Sequence, residues 1–219
     1  MAMKTVAFID NFINEPINHC VNEIILRNNL VATYHQPARF GMASLYDLPK
    51  VEKVIVLGSA SHVTDNEPWH KELLQFLLPH IQNNTPTLGI CFGHQLFVHH
   101  YGGDIDYINQ SQENFELVRD VHFQQKIWGH DFGSHFPMPY AHQQVVKKIP
   151  KEFEIIAHTD QSPFEVLKHK RHQLWTIQGH PESSLKYIEN KLNISDKQLA
   201  LKIKSSGNKL IDQFIRFDS

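Results

Sequence analysis

Residues 87–97 read TLGICFGHQLF. Thr87–Ile90 is a short, continuous apolar run, the mark of a strand buried on both faces. It passes directly into FGHQLFVHHYGG, residues 92–103, a helical pattern that closes at a glycine pair. The junction is Gly89-Ile90-Cys91-Phe92-Gly93. Strand, sharp G-x-C-x-G turn and helix together form a nucleophile elbow. Side chains flanking the apex would clash with the neighbouring strand and helix, so glycines stand there. The thiol is left at the C-terminal edge of the strand, beside a helix N-terminus. Partial positive charge and free N–H groups at that end stabilise a negative charge. Taken alone, the cysteine reads more simply as a buried core residue with incidental glycines.

The beta-alpha unit extends in both directions. TVAFID (5–10), LVATYHQ (30–36) and VEKVIVLGS (51–59) are further strand candidates. A helical pattern runs from about Pro16 to Asn29, with proline at its start. EPWHKELLQFLLPHIQNN (67–84) spaces Trp69, Leu73, Leu74, Leu77, Leu78 and Ile81 as one helix face, and Pro79 should kink or end it. The alternation predicts a mostly parallel sheet flanked by helices, flavodoxin-like and doubly wound. After Gly103 the texture changes. DIDYIN, FELVRDVHF, EFEIIAHT, FEVLKH and HQLWTIQ read as short strands, a small antiparallel extension. GHDFGSHFPMPY (129–140) reads as a Gly- and Pro-rich loop. From Glu182 the sequence returns to helix, and DKQLALKIKSSGNKLIDQFIRF (196–217) is amphipathic with Gly207 as a weak point. No repeat or linker divides residues 1–219, which are expected to form a single domain.

Composition narrows the function classes. There are 219 residues and a formal net charge of −2, with no local Lys/Arg run. That argues against a nucleic-acid partner. No apolar stretch approaches the roughly 18 residues of a membrane helix. The N-terminal MAMKTVAFID reaches Asp10 too soon for a signal peptide, so a cytoplasmic location is expected. Two cysteines make no disulfide framework. Cys20, in an apolar-periodic run, reads as helix packing. Sixteen histidines are scattered without zinc-site spacing, so no metal is expected.

Two further segments bear on Cys91. LWTIQGHPESSLKYI (174–188) puts His180-Pro181-Glu182 at the end of an apolar strand. In a parallel sheet, strand ends and elbows share one rim. A histidine there can take and return a proton, and a carboxylate two residues on can hold it in one tautomer. The same residues also fit plain helix capping. VIVLGSASHVTD (54–65) is another strand ending in a turn. Acyl transfer needs backbone N–H donors for an oxyanion, and Phe92 with Gly58 or Ser59 could supply them. In isolation that segment is an ordinary strand-to-loop turn.

Together, LGICFGHQ, GHPE and the upstream glycine turn resemble the class I, triad-type glutamine amidotransferase domain. The resemblance spans nearly the whole sequence, including AHQQVV (141–146). It implies Cys91 as nucleophile, His180 as base and acid, and Glu182 as its orienter. It implies oxyanion donors at Phe92 and Ser59, and a substrate contact at Gln95. One departure is Gly58-Ser59-Ala60, where many members have Gly-Gly-Pro; Ser59 would then carry the strain of an unusual backbone angle. LGSASHVTDNEPW is similar to the free-standing branch that includes the glutaminase domain of GMP synthetase and gamma-glutamyl peptidases. The implied reaction is hydrolysis of the glutamine side-chain amide through a cysteinyl thioester, without cofactor. The ammonia would pass to a separate synthetase partner, or the substrate would be a larger gamma-glutamyl compound. A catalytically silent binding relative is the alternative from another class.

Overall fold

The structure is a computed structural model, and it describes residues 5–48 and 50–218. The first residues of MAMKTVAFID therefore lie outside the described residues, as do Pro49 and Ser219. In sequence order the elements are β1 (Thr5–Ile9), α1 (Asn18–Asn28), β2 (Val31–His35), α2 (Pro37–Phe40), α3 (Ala43–Tyr46) and β3 (Lys53–Val56). Then come α4 (Pro68–Gln82), β4 (Thr87–Ile90), α5 (Phe92–His100), β5 (Asp104–Tyr107), β6 (Phe115–Phe123) and β7 (Phe136–His142). The last elements are β8 (Gln144–Lys148), β9 (Phe153–His158), β10 (Val166–His169), β11 (Leu174–Ile177), α6 (Leu185–Asn190) and α7 (Lys197–Arg216). Nine strands form one sheet in the order β2-β1-β3-β4-β11-β10-β9-β6-β7. The first five run parallel, and the sheet then continues antiparallel from β11 to β7. β5 and β8 form a separate antiparallel pair. The expected class, a mostly parallel sheet flanked by helices with an antiparallel extension, is the one observed.

Both faces of the parallel strands are apolar because both are covered. Val6, Phe8, Leu88 and Ile90 pack with Val21 and Ile24 of α1 and with Leu210, Ile211 and Phe214 of α7. Ala7, Ile9, Val54 and Val56 pack with Leu73, Leu77 and Ile81 of α4 and with Leu96 and Phe97 of α5. The period of two along each strand thus sorts side chains onto two helical layers. No helix among the described residues is long and apolar enough to cross a membrane.

Several local expectations are corrected. α1 starts after Ile17, not at Pro16, because the Asp10 carboxylate already accepts from the N–H groups of Phe12 and Ile17, both at 3.0 Å. α4 runs through Pro79 to Gln82; burial of Leu77 and Ile81 on either side outweighs the lost backbone bond. FPMPY is strand β7 rather than loop. It lies at the sheet edge, where Pro137 and Pro139 are tolerated for want of a second ladder partner. α7 is continuous through Gly207, which is a point of close approach: a Cβ there would sit 2.3 Å from the Pro181 carbonyl oxygen. The reading of Trp128 and Phe132 as local packing holds: both are core residues, with Trp128 edge-on to Trp175 and Phe214.

Candidate active site

The C-terminal ends of β1, β3, β4 and β11 meet at one rim, where the order of strand addition reverses between β1 and β3. A cavity of about 400 Å³ opens there. Its wall includes Phe12 and Ile17 after β1, Ser59 and Ser61 after β3, Cys91 after β4, and His180 and Glu182 after β11.

Cys91 has φ 51° and ψ −98°, a conformation rare for a residue with a side chain. Such backbone strain costs of order 1–3 kcal/mol and persists only where the surroundings enforce it. Here Cys91 N–H donates to Ile177 O at 2.8 Å, and Gln95 N–H donates to Cys91 O at 3.0 Å. The flanking glycines are steric requirements. A Cβ on Gly89 would meet the Gly93 backbone at 2.8 Å, and one on Gly93 would meet Val56 O at 2.6 Å. The elbow therefore wedges between the first turn of α5 and strand β3, and Cys91 faces the cavity.

His180 Nδ1–H donates to Glu182 Oε1 at 2.7 Å. The opposite ring nitrogen lies 3.4 Å from Ala141 O, and Cys91 Sγ lies 4.0 Å from that same oxygen. Sulfur and imidazole are thus brought to one carbonyl. Burial works to push the His180 pKa down, but the charges of Cys91 and Glu182 and hydrogen bonds to both outweigh it and hold it well above the usual histidine value. The favoured state is a protonated, buried imidazole set between Cys91 and Glu182. Gly58 leaves room for that ring, since a Cβ there would stand 3.1 Å from His180 Cε1.

Ser59 departs from expectation. It is absent from the residues with positive φ, so no unusual backbone angle is forced on it. Its hydroxyl instead staples the turn, donating to Asn11 O at 2.7 Å and accepting from Ser61 N–H at 3.0 Å. Among the described residues, neither Ser59 N–H nor Phe92 N–H has a backbone acceptor outside helix and strand ladders. Both residues line the cavity beside Cys91. Gln95 lines it too, but its amide nitrogen is already engaged, donating to Gln144 O at 2.7 Å and to Gln178 Oε1 at 3.1 Å.

Comparison with known proteins adds the lineage. Residues 7–195 match the family described as glutamine amidotransferase class-I. The chain belongs to the class-I glutamine amidotransferase family. It is 36% identical over 97 residues to the A subunit of the glutamine-hydrolyzing GMP synthase of Methanocaldococcus jannaschii, an alignment that takes in 44% of this protein and 50% of that one. It is 27% identical over 140 residues to gamma-glutamyl peptidase 4 of Arabidopsis thaliana, with 62% and 55% aligned. The chain thus spans about half the length of the curated relatives it matches. The crystal structure of a glutamine amidotransferase from Thermotoga maritima superposes with a TM-score of 0.74 at 15% identity, over 98% of this protein and 97% of that one. One from Methylobacillus flagellatus gives 0.72 at 15% identity, over 98% and 93%. At that identity the likeness is one of fold.

The structure gathers every expected site residue of the family pattern on one cavity: Cys91, His180, Glu182, Ser59, Phe92 and Gln95 line it, and Gly58 packs against the His180 ring. It also brings in residues that sequence reasoning passed over. Gln178 is fully buried and donates from Nε2 toward Cys91 Sγ at 3.7 Å, with Gln95 holding its other end. Its signal was only a polar residue inside the apolar run LWTIQ. His142 is buried on the wall; its Nδ1–H donates to Gln144 O at 2.8 Å, and burial pushes its pKa down to about 4. Cys20 packs in α1 as expected but also lines the cavity, and burial pushes its thiol up to about 12. Among the described residues, no group of three or more His, Cys, Asp or Glu is placed to hold a metal ion.

Proposed function

We propose that the protein is a cysteine-dependent glutaminase that cleaves the side-chain amide of glutamine. The observation that carries this reading is the His180 imidazole, hydrogen-bonded to Glu182 at 2.7 Å and sharing the Ala141 carbonyl with the sulfur of a strained Cys91. Cys91 thiolate attacks the amide carbon. The resulting oxyanion is held by the N–H groups of Phe92 and Ser59, each such donor being worth about 3 kcal/mol in comparable sites. The tetrahedral intermediate collapses, the C–N bond breaks, and His180 gives its proton to the departing ammonia. A water molecule then yields a proton to His180 and attacks the gamma-glutamyl thioester; the C–S bond breaks, glutamate leaves, and the Cys91 thiolate beside protonated His180 is regenerated. Glu182 keeps the imidazole in one orientation and balances its charge throughout. Every proton in this cycle moves between substrate, water, Cys91 and His180, so the scheme calls on no cofactor.

The likeness to the A subunit of GMP synthase supports a second element: the ammonia passes to a separate synthetase. A competing reading, a hydrolase of larger gamma-glutamyl conjugates, rests on the likeness to gamma-glutamyl peptidase 4 and on a cavity of about 400 Å³, within the range that holds drug-sized ligands. One experiment separates these. Ammonia and glutamate are measured from L-glutamine, and glutamate from glutathione, with the wild-type protein and Cys91→Ala, each with and without candidate synthetases. Turnover of glutamine that rises with a synthetase and vanishes in Cys91→Ala supports the glutaminase. Fast partner-free turnover of the conjugate with little glutamine release selects the peptidase, and Cys91-independent or absent turnover refutes both.

A further inference from the structure

The charges on the cavity wall bear on the part of the substrate that does not react. Among the described residues lining the cavity there is neither lysine nor arginine, and the carboxylates are Glu116 and Glu182. Glu182 is engaged by His180. Glu116 sits at the start of β6 on the exposed lip, and none of the ion pairs found among the described residues involves it. Asn114 Nδ2 donates to its Oε1 at 3.1 Å, fixing the carboxylate and leaving Oε2 for a ligand. Besides the His180 imidazole, which Glu182 engages, two cations reach the site electrostatically, and both are committed elsewhere. Arg119 pairs with buried Glu165 at 3.8 Å and lies over the Tyr140 ring. Lys204 pairs with Glu23 at 2.7 Å and donates to Ser183 O at 2.9 Å. The lip and the reacting sulfur belong to one cavity, whose wall Tyr187 shares with Glu116, Glu182 and Cys91; burial, and then the nearby charges, push the Tyr187 phenol up.

A free amino acid carries an α-ammonium and an α-carboxylate. In this cavity the ammonium finds an unpaired carboxylate on the lip. The α-carboxylate finds no lysine or arginine on the wall, the His180 imidazole is engaged by Glu182, and the Glu116 carboxylate on the lip repels it. We propose that the cavity selects its glutamyl group through the α-ammonium, held by Glu116, and leaves the α-carboxyl position unread, so that glutamine compounds with a neutral α-carboxyl substituent, including peptides with N-terminal glutamine, are substrates. This rests on the reading of Cys91 as the nucleophile. The bond cleaved is the same δ-amide C–N bond, with water as the other reactant and ammonia as the leaving group; only the α-substituent differs.

The test uses the whole protein and four defined compounds: L-glutamine, L-glutamine α-amide, L-glutaminyl-glycine and N-acetyl-L-glutamine. Products are identified by mass spectrometry, so that loss of the side-chain amide is distinguished from loss of the α-amide. The α-amide and the dipeptide are expected to match or exceed glutamine in kcat/KM. Acetylation, which removes the ammonium, should cost about tenfold or more, the scale of one charge-assisted hydrogen bond. Glu116→Gln should raise KM for glutamine by about tenfold, with the change falling on KM rather than kcat, and should leave N-acetyl-glutamine unaffected. A tenfold or greater drop for the α-amide and dipeptide, or an unchanged KM in Glu116→Gln, overturns the proposal while the Cys91 reading stands. Absence of side-chain cleavage in all four compounds overturns the Cys91 reading and the proposal together.

Discussion

Gly207→Ala is the substitution whose sign the structure reverses. On an exposed helix face, alanine for glycine stabilises by about 1 kcal/mol. In α7 the new Cβ would stand 2.3 Å from Pro181 O and 3.0 Å from its C and Cα atoms, where ordinary contact begins at 3.4 Å. Backbone lies on both sides of the clash. α7 is also pinned, by Arg27 Nη2 on Asp212 at 2.8 Å and by Lys204 on Ser183 O at 2.9 Å. Overpacking of this kind costs about 1–3 kcal/mol, and the upper end applies where neither side can swing away. The net effect is a loss of about 1–2 kcal/mol, or about 2–8 °C in Tm for a protein of this size. Relief needs a shift of roughly 1 Å in Pro181, which sits between His180 and Glu182, and a misplacement of that size can cost about 100-fold in rate. Thermal unfolding and ammonia release from L-glutamine, measured on the same preparation, check both parts. A variant that melts higher and turns over normally would refute the close approach.

Other expectations are equally direct. A glutamine-like diazo-ketone should label Cys91 and spare Cys20, whose thiol burial holds up at about 12; peptide mapping of the adduct to Cys20 would reverse that ranking. Gln178→Leu, which removes the amide donating toward Cys91 Sγ at 3.7 Å, should slow ammonia release by about tenfold while leaving the fold intact by circular dichroism. Pro79→Ala should raise stability by about 1–3 kcal/mol in urea titration, because α4 already runs through that position without the missing N–H. Burial lowers His94 to about 3 and His142 to about 4. Both are neutral in the folded protein, whereas the unfolded state binds protons below about pH 6.5, so stability is full above that pH and falls between it and pH 4. Unfolding free energies from urea titrations across that range should decline by up to about 1.4 kcal/mol per pH unit for each histidine, and a flat profile would contradict their burial as neutral groups.

The parallel half of the sheet is legible in the sequence because strands covered on both faces must be mostly apolar, and TVAFI, KVIV, TLGI and LWTI are. The elbow is legible because Gly89 and Gly93 answer to backbone contacts under 3 Å that no side chain can meet. Position within the sheet is less so. FPMPY reads as loop because proline breaks a central strand, and only the strand order shows that β7 is an edge. Tertiary packing overrides local rules at Pro79, where Leu77 and Ile81 hold the helix on the core. Gly207 and Ser59 mislead for one reason: a residue type states what the backbone can do, and only the neighbours state what is asked of it. The Ser59 hydroxyl is needed by Asn11 and Ser61, and Gly207 by Pro181. Gln178, which donates toward Cys91, and Glu116, on the cavity lip, stand far from Cys91 in the sequence, so no spacing rule points to them.

The proposed chemistry is tested most directly by rapid acid quenching of the wild-type protein during turnover of L-glutamine, followed by peptide mass mapping. A gamma-glutamyl adduct on the peptide that contains TLGICFGHQLF, removed by hydroxylamine and absent in Cys91→Ala, is the expected result. Ammonia release that continues in Cys91→Ala, or an adduct that maps to any other residue, would contradict it.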